Sequence, residues 1–460
     1  MNTLLVVLPL VLSSSITLTS PPPPPAHLQA DVIKTVESAR LRLSVEKLCS
    51  FGTRHTLSET TSETRGIGAA RNWLKQELES YAPKSAGAEV KSARLKVEFE
   101  EFDAPKSIRL PDGGRVVNIV ATLPGAMKEA ADRRYYVVAH YDSRNADALD
   151  FKGDAPGAND NASGSAVVLE SARVLSTLNL DSTVVFLLTA GEEQGLIGAE
   201  YHAAQAAARQ ENIAGVLNND IVGDPTDPAV SGSRYYTVRV FSEGLPRNPS
   251  AEQLADIRTI ASESDSSSRQ LARFVEAIAA QHENILPQTA MIFRQDRFLR
   301  GGDHMAFNTN GFPAVRFTVF REHYDRQHVN VATKDSLPYG DVARYLDSDY
   351  MARVARLNIA TLMNLANAPR PPANVRIVNK DLGSDTLIRW SASPEPDVIG
   401  YEVVHRATTD PTWSTDFVSD AGRATELRLS LNKDDHFFGV RAYDRQGYRS
   451  PVAFAGAAKE

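Results

Sequence analysis

The run Arg134-Tyr135-Tyr136-Val137-Val138-Ala139, which leads into His140-Tyr141-Asp142, constrains the fold more than any other stretch. Its aromatic and β-branched residues form a nearly continuous apolar stretch, the pattern of a strand covered on both faces. Thr183 to Thr189 (TVVFLLT) repeats the pattern, and residues 213–218, 237–241 and 314–318 add shorter strands. Between them, residues 163–178, 195–208 and 270–280 carry apolar side chains at helical spacing, as in Ala166, Val167, Leu169, Ala172 and Leu175. Apolar strands alternating with helices predict an α/β fold: a mixed, mainly parallel sheet sandwiched by helices. Upstream, Val32, Val36 and Leu41, then Ala69, Trp73, Leu74 and Leu78, mark two helical stretches. Strands are expected over 90–102 and 116–123. A polar loop or lid is expected over 246–268, and a long helix over 341–365.

At 460 residues the chain is too long for one ordinary core, so two or three domains are expected. A formal net charge of −7 speaks against nucleic acid as the main partner. The single cysteine, Cys49, excludes an internal disulfide and any multi-cysteine zinc site; it reads as a small core residue. Residues 1–20 carry no charged side chain, and their apolar core, Leu4 to Leu12, is too short to span a bilayer. They read as a signal peptide, followed by a stiff proline-rich spacer over 21–27. The expectation is a secreted or periplasmic protein with no membrane span in the mature chain.

A boundary is expected at Ala368-Pro369-Arg370-Pro371-Pro372. It separates a unit over 28–367 from one over 368–460. Beyond it, Thr386-Leu387-Ile388-Arg389-Trp390, Tyr401-Glu402-Val403-Val404-His405 and Phe438-Gly439-Val440-Arg441-Ala442 read as short strands of an all-β, immunoglobulin-like sandwich. With its Pro-rich start, Trp390 and Tyr401, this part resembles a fibronectin type III domain. Such a domain implies a spacer, or a module that binds a polymer or protein partner.

One histidine and one aspartate after a strand are ordinarily capping or surface groups. Here the pattern recurs. Thr189 leads into Ala190-Gly191-Glu192-Glu193-Gln194-Gly195, and Leu217-Asn218-Asn219 delivers Asp220. Gly302-Asp303-His304 and the stretch Glu322 to His328 follow. In open α/β sheets functional groups collect beyond the carboxyl ends of the strands. Several carboxylates meeting in one crevice repel each other, and divalent cations relieve that repulsion. A nitrogen and oxygen ligand set of this kind suits zinc, and also cobalt or manganese.

His140-x-Asp142, Gly157-Ala158-Asn159-Asp160-Asn161-Ala162-Ser163-Gly164, Gly191-Glu192-Glu193, Asn219-Asp220, Gly302-Asp303-His304 and Gln327-His328 together resemble the co-catalytic zinc aminopeptidases of the aminopeptidase S and bacterial leucyl aminopeptidase type. The resemblance spans roughly residues 60 to 365. It implies the zinc exopeptidase fold and two zinc ions. Asp160 would bridge the ions; His140 and Asp220 would complete one ligand set, and Glu193 and His328 the other. Glu192 would be the general base toward a water shared by the ions, and Asp142 would orient His140 through its free ring nitrogen. His323 is the alternative to His328. The implied reaction is hydrolysis of the N-terminal peptide bond of peptide substrates, with Glu192 or Asp296 receiving the substrate ammonium. A carboxypeptidase using Arg294, Arg297 and Arg300 stays open, as does a non-catalytic binding or adhesion protein on the same scaffold. His55, His202 and His282 are expected to be histidines without partners.

Overall fold

The computed structural model describes residues 26–81, 95–282, 284–379 and 383–457. The expected signal peptide, most of the spacer and the first part of the strand expected over 90–102 lie outside them. The helices are α1 (Ala26–Ile33), α2 (Ser38–Cys49), α3 (Gly66–Ser80), α4 (Gly164–Leu175), α5 (Ile197–Ala208), α6 (Ala251–Thr259), α7 (Ser267–Ala280), α8 (His304–Thr309) and α9 (Ser348–Asn367). The main sheet is built from β1 (Lys96–Ala104), β2 (Gly114–Leu123), β3 (Arg133–His140), β4 (Thr183–Thr189), β5 (Asn212–Asn219), β6 (Thr237–Ser242), β7 (Gln288–Ile292) and β8 (Ala314–Val319).

Spatial order in this sheet is β1-β2-β4-β3-β5-β8-β6-β7. The central strands β4, β3, β5 and β8 run parallel, while β1, β2 and β6 pair antiparallel to their inner neighbours. The sheet is therefore mixed with a parallel centre. Every residue of β4 and β8 is buried. Both faces are covered, α4, α7 and α9 lying on one and α5 and α8 on the other. That explains why these strands show no polar alternation.

Two expected elements differ. The polar stretch read as a loop or lid contains α6, an exposed helix started by a capping box between Ser250 and Gln253. The helix expected over 341–365 begins only at Ser348, because the Asp347 carboxylate caps the N–H groups of Asp349 and Tyr350. Asp341 stays in the preceding loop, after a short hairpin of β9 (Ala332–Lys334) and β10 (Leu337–Tyr339).

Beyond Ala368 the chain forms β11 (Ala373–Val378), β12 (Thr386–Ser391), β13 (Val398–Ala407), β14 (Val418–Gly422), β15 (Glu426–Leu429), β16 (His436–Asp444), β17 (Ala453–Phe454) and β18 (Gly456–Ala457). They make two sheets, ordered β15-β12-β11-β18 and β14-β13-β16-β17. Val375, Ile388, Trp390, Tyr401, Val403, Phe438 and Val440 form the core between them. These sheets are tied to the α/β part by buried charge. Arg133 Nη1 lies 2.6 Å from Glu395 Oε1, and Asp265 receives both Arg273 and Arg406 at 2.7 Å. Among the described residues no helix is long and apolar enough to cross a membrane. Cys49 is half-buried against the core.

Candidate metal centre

Three parallel strands deliver their ends to one place. His140 is the last residue of β3 and pairs in register with Thr189, the last of β4. Asp220 follows directly on β5, whose Asn218 pairs with Val138. Glu192 and Glu193 sit on the turn after β4, which Gly191 permits by adopting a φ of +78°. Asp160 arrives on the loop between β3 and α4, within a short, irregular helical turn (Ala158–Ser163) whose backbone leaves the helical region at Asp160, and His328 on the loop after β8.

The structure brings these residues into two groups: His140 with Glu192 and Asp220, and Asp160 with Glu193 and His328. Asp160 joins the groups. Its Oδ1 lies 3.2 Å from His140 Nε2, and its Oδ2 lies 2.9 Å from His328 Nε2. Glu193 Oε1 is 3.1 Å from the same His328 nitrogen. Around His140 Nε2 stand Asp220 Oδ1 at 3.8 Å and Glu192 Oε2 at 4.0 Å. His323 is turned to Asp325 and lies outside both groups.

Whether cations fit is answered by His140. Its Nε2 is buried and makes no hydrogen bond, although carboxylate oxygens surround it. A ring nitrogen left bare among acids is what a bound cation would satisfy. Burial opposes the charged form of His140, yet Glu192, Asp142, Asp160 and Asp220 raise its pKa well above the usual value. His328 is likewise opposed by burial and pushed up to about 10 by Glu193 and Asp160. Glu192 moves well above the carboxylate range, through burial first and then the charges of Asp220, Glu193 and Asp303, with His140 opposing.

The Asp142 carboxylate lies beside the free ring nitrogen of His140, as expected: His140 Nδ1 is 3.5 Å from its Oδ1 and donates to the Asp142 backbone carbonyl at 3.2 Å. The carboxylate also accepts the backbone N–H groups of Glu192 at 3.3 Å and Glu193 at 3.2 Å, and the Thr56 hydroxyl at 3.3 Å. It braces the turn that carries both glutamates. Asp296, suggested as an ammonium acceptor, is buried and held by Arg316 and Arg297, so it is not available to substrate. Arg294 stacks on Phe298, whereas Arg297 and Arg300 line the site. The histidines expected to lack partners have them: His55 bonds the Ala148 carbonyl, His202 bonds Glu100, and His282 bonds Gln29.

Several anchoring residues were not legible as such. Asp341 accepts the backbone N–H groups of Asn159 at 2.6 Å and Asp160 at 2.8 Å. Burial pushes its carboxyl up to about 7, against those two hydrogen bonds. Arg54 is fully buried and donates to the carbonyls of Tyr141 at 2.7 Å and Gly157 at 2.9 Å, pinning both ends of the loop before Asp160. Asn159 and Asn161 tie the same loop to the end of β5 through Gly223 N–H and Asn219 C=O. Arg144 donates to Glu193 Oε2 at 3.0 Å, and its Nη2 lies 2.7 Å from His328 Nδ1. One signal was available: Arg316 is the sole charge in the apolar strand β8, and a charge buried there requires a partner.

The groups open into a cavity of about 340 Å³, walled on the far side by Arg109, Arg144, Leu196, Arg297, Leu299 and Arg300. Comparison with known proteins agrees with this geometry. The model for peptidase family M28 matches residues 118–360, which include every residue of both groups. A probable zinc metalloprotease of Leptosphaeria maculans is 41% identical over 424 residues, covering 92% of this chain and 95% of that protein. One of Pyricularia oryzae is 40% identical over 437 residues, covering 93% of this chain and 84% of that protein. Among solved structures, the LapA aminopeptidase of Legionella pneumophila shares the fold, with a TM-score of 0.50 at 20% identity over 74% of this chain and 75% of that one. By its motifs, its geometry and these relatives, the chain belongs to peptidase family M28.

Proposed function

We propose that this protein is a secreted zinc exopeptidase that removes N-terminal residues from peptides. The observation that carries the reading is Asp160, whose two oxygens face two different histidines. His140, Asp220 and Asp160 would hold one zinc ion; Asp160, Glu193 and His328 would hold the other. Bound there, two zinc ions supply Lewis acidity toward a peptide carbonyl and lower the pKa of water. Glu192 is the proton acceptor. Its side chain lines the cavity, and its ordinary carboxylate pKa is already raised in the metal-free chain. Asp142 holds the Glu192 backbone, which fixes where that carboxylate points. The small cavity suits the end of a chain better than its middle.

That the relatives are probable zinc metalloproteases, and the Legionella fold neighbour an aminopeptidase, supports this choice. Residues 1–20 would direct export, residues 28–367 form the catalytic unit, and 368–460 a fibronectin type III-like domain that serves as a spacer or binds a polymer or protein partner. The paired sheets around Trp390 and Tyr401 support that last reading.

A second reading is favoured by one feature. Arg109, Arg144, Arg297 and Arg300 line the cavity, and guanidinium groups suit a carboxylate better than an ammonium. A carboxypeptidase would use them for the substrate's terminal carboxylate. The zinc-loaded protein should be offered matched peptides with free or acetylated N-termini, and the products identified. Release of N-terminal residues from free peptides alone is expected. Cleavage of acetylated peptides from the C-terminal end would replace the first reading by the second.

A further inference from the structure

Arg316 lies in the middle of β8 with 0% exposure. A guanidinium taken so completely from water is costly unless carboxylates answer it. Two do. Asp296 meets Nη1 with both oxygens, at 2.9 and 3.0 Å. Asp220 Oδ2 lies 3.1 Å from Nη2, an ion pair without a hydrogen bond, while Asp220 Oδ1 is the oxygen turned toward His140. Gly302 leaves room for this meeting. A Cβ there would stand 3.2 Å from Asp220 Oδ2 and 3.4 Å from Arg316 Nη1.

The hold on Asp220 is itself held. Asp296 also receives Arg297 Nε at 3.1 Å, and Arg297 Nη1 reaches Glu322 at 2.9 Å. Glu322 further receives Arg239 at 2.7 Å and Arg300 at 3.3 Å. An alternating series of charges thus runs from Asp220 to the arginines of the cavity wall. In the other group the comparable contact is not backed by such a series. Arg144 meets the outer oxygen of Glu193, but it also contacts His328 and borders the cavity.

We propose that Arg316 is a positioning residue of the metal centre: it engages the outer oxygen of Asp220, so that only the inner oxygen is presented beside His140, and Asp296 fixes Arg316 for that task. This rests on the reading of His140 and Asp220 as ligands of one cation. A free carboxylate can turn and offer both oxygens. One whose outer oxygen meets a planar, fully charged partner offers one. Groups that orient ligands in this way govern metal affinity nearly as strongly as the ligands do. Lysine would keep the charge but lose the fork that spans two carboxylates.

The test is zinc titration of the full metal-free chain against a competing chelator, with cobalt as a spectroscopic probe. Wild type should bind two ions. Arg316→Lys should weaken one of them about 10–100-fold, leave the other within about twofold, and shift the cobalt absorption of the weakened ion only. Asp296→Asn, which leaves Arg316 and Asp220 intact, should weaken the same ion less, and it decides the matter if Arg316→Lys does not fold. Two ions bound as in wild type, or both weakened alike, would overturn the proposal while leaving the centre in place. No ion bound by wild type would overturn the centre itself, and the proposal with it.

Discussion

The two groups of the centre are carried in different ways. His140 and Asp220 come from adjacent parallel strands and are buried, with relative exposures of 1% and 2%. Asp160 and His328 come from loops, and the His328 side chain keeps 23% of its exposure on a backbone with a φ of +49°. Strand ends are placed by the sheet's hydrogen bonds, whose register leaves little freedom. Loop residues are placed only by whatever grips the loop. Hence the loop-borne group is surrounded by anchors: Asp341 on the Asp160 backbone, Arg54 on the loop before it, and Arg144 on Glu193 and His328.

The sharpest break comes from removing a ligand from each group. Even an orienting partner is worth about 10–100-fold in affinity or activity, so losing the ligand itself should exceed that. His140→Ala and His328→Ala are each expected to keep at most one tightly held zinc and to lose turnover. His140→Ala should also lower thermal stability, because its site is buried and packed on all sides. Metal analysis and thermal melts of the two variants check this. Equal melts would mean that the strand-borne half is no more rigid than the loop-borne one.

Asp341→Ala should act through the loop that carries Asp160, and so on both ions. Without acceptors for the Asn159 and Asp160 N–H groups, the bridging carboxylate loses its orientation. Zinc affinity should fall about 10–100-fold with a smaller change in melting temperature. Zinc titration beside a thermal melt separates the two.

Acid should weaken zinc binding. His328, raised to about 10, holds its proton at neutral pH in the metal-free chain, and a cation must displace it. Apparent affinity for the loop-borne ion should therefore drop by up to about tenfold per unit as pH falls from 8 to 6. A flat titration over that range would show that His328 gives up no proton when an ion binds. The smallest effect is expected at the cavity wall. Arg300→Gln should raise KM severalfold, about 1 kcal/mol, for substrates with a carboxylate near the cleaved bond, and leave kcat unchanged. Kinetics on paired acidic and neutral peptides would show it.

The same contrast explains what could be read from the chain. β3 and β4 announced themselves as nearly continuous apolar runs, and the residues that follow them carried acids and histidines. The fold, and the end of the sheet where these groups gather, were therefore legible; the part of each residue came from the family resemblance. The loop-borne histidine was an open choice between His323 and His328, because no periodicity governs a loop. Asp341 looked like part of a helix; its role depends on Asp347 capping that helix later, a competition that local pattern does not decide. Asp142 was expected beside His140 from the family resemblance, and it stands there. What no local pattern gave is that its carboxylate also reaches the Glu192 and Glu193 backbone on the next strand's turn, a contact made only by the folded sheet.

Glu192 is where the account is most exposed. It stands with His140 and Asp220, so the same side chain is placed either to accept a proton or to ligate an ion. Glu192→Gln, measured for bound zinc and for turnover on an unblocked peptide, separates the two. A base predicts two zinc ions per chain, as in wild type, with turnover lower by about 10²–10⁴. Loss of an ion, or turnover left unchanged, would contradict it.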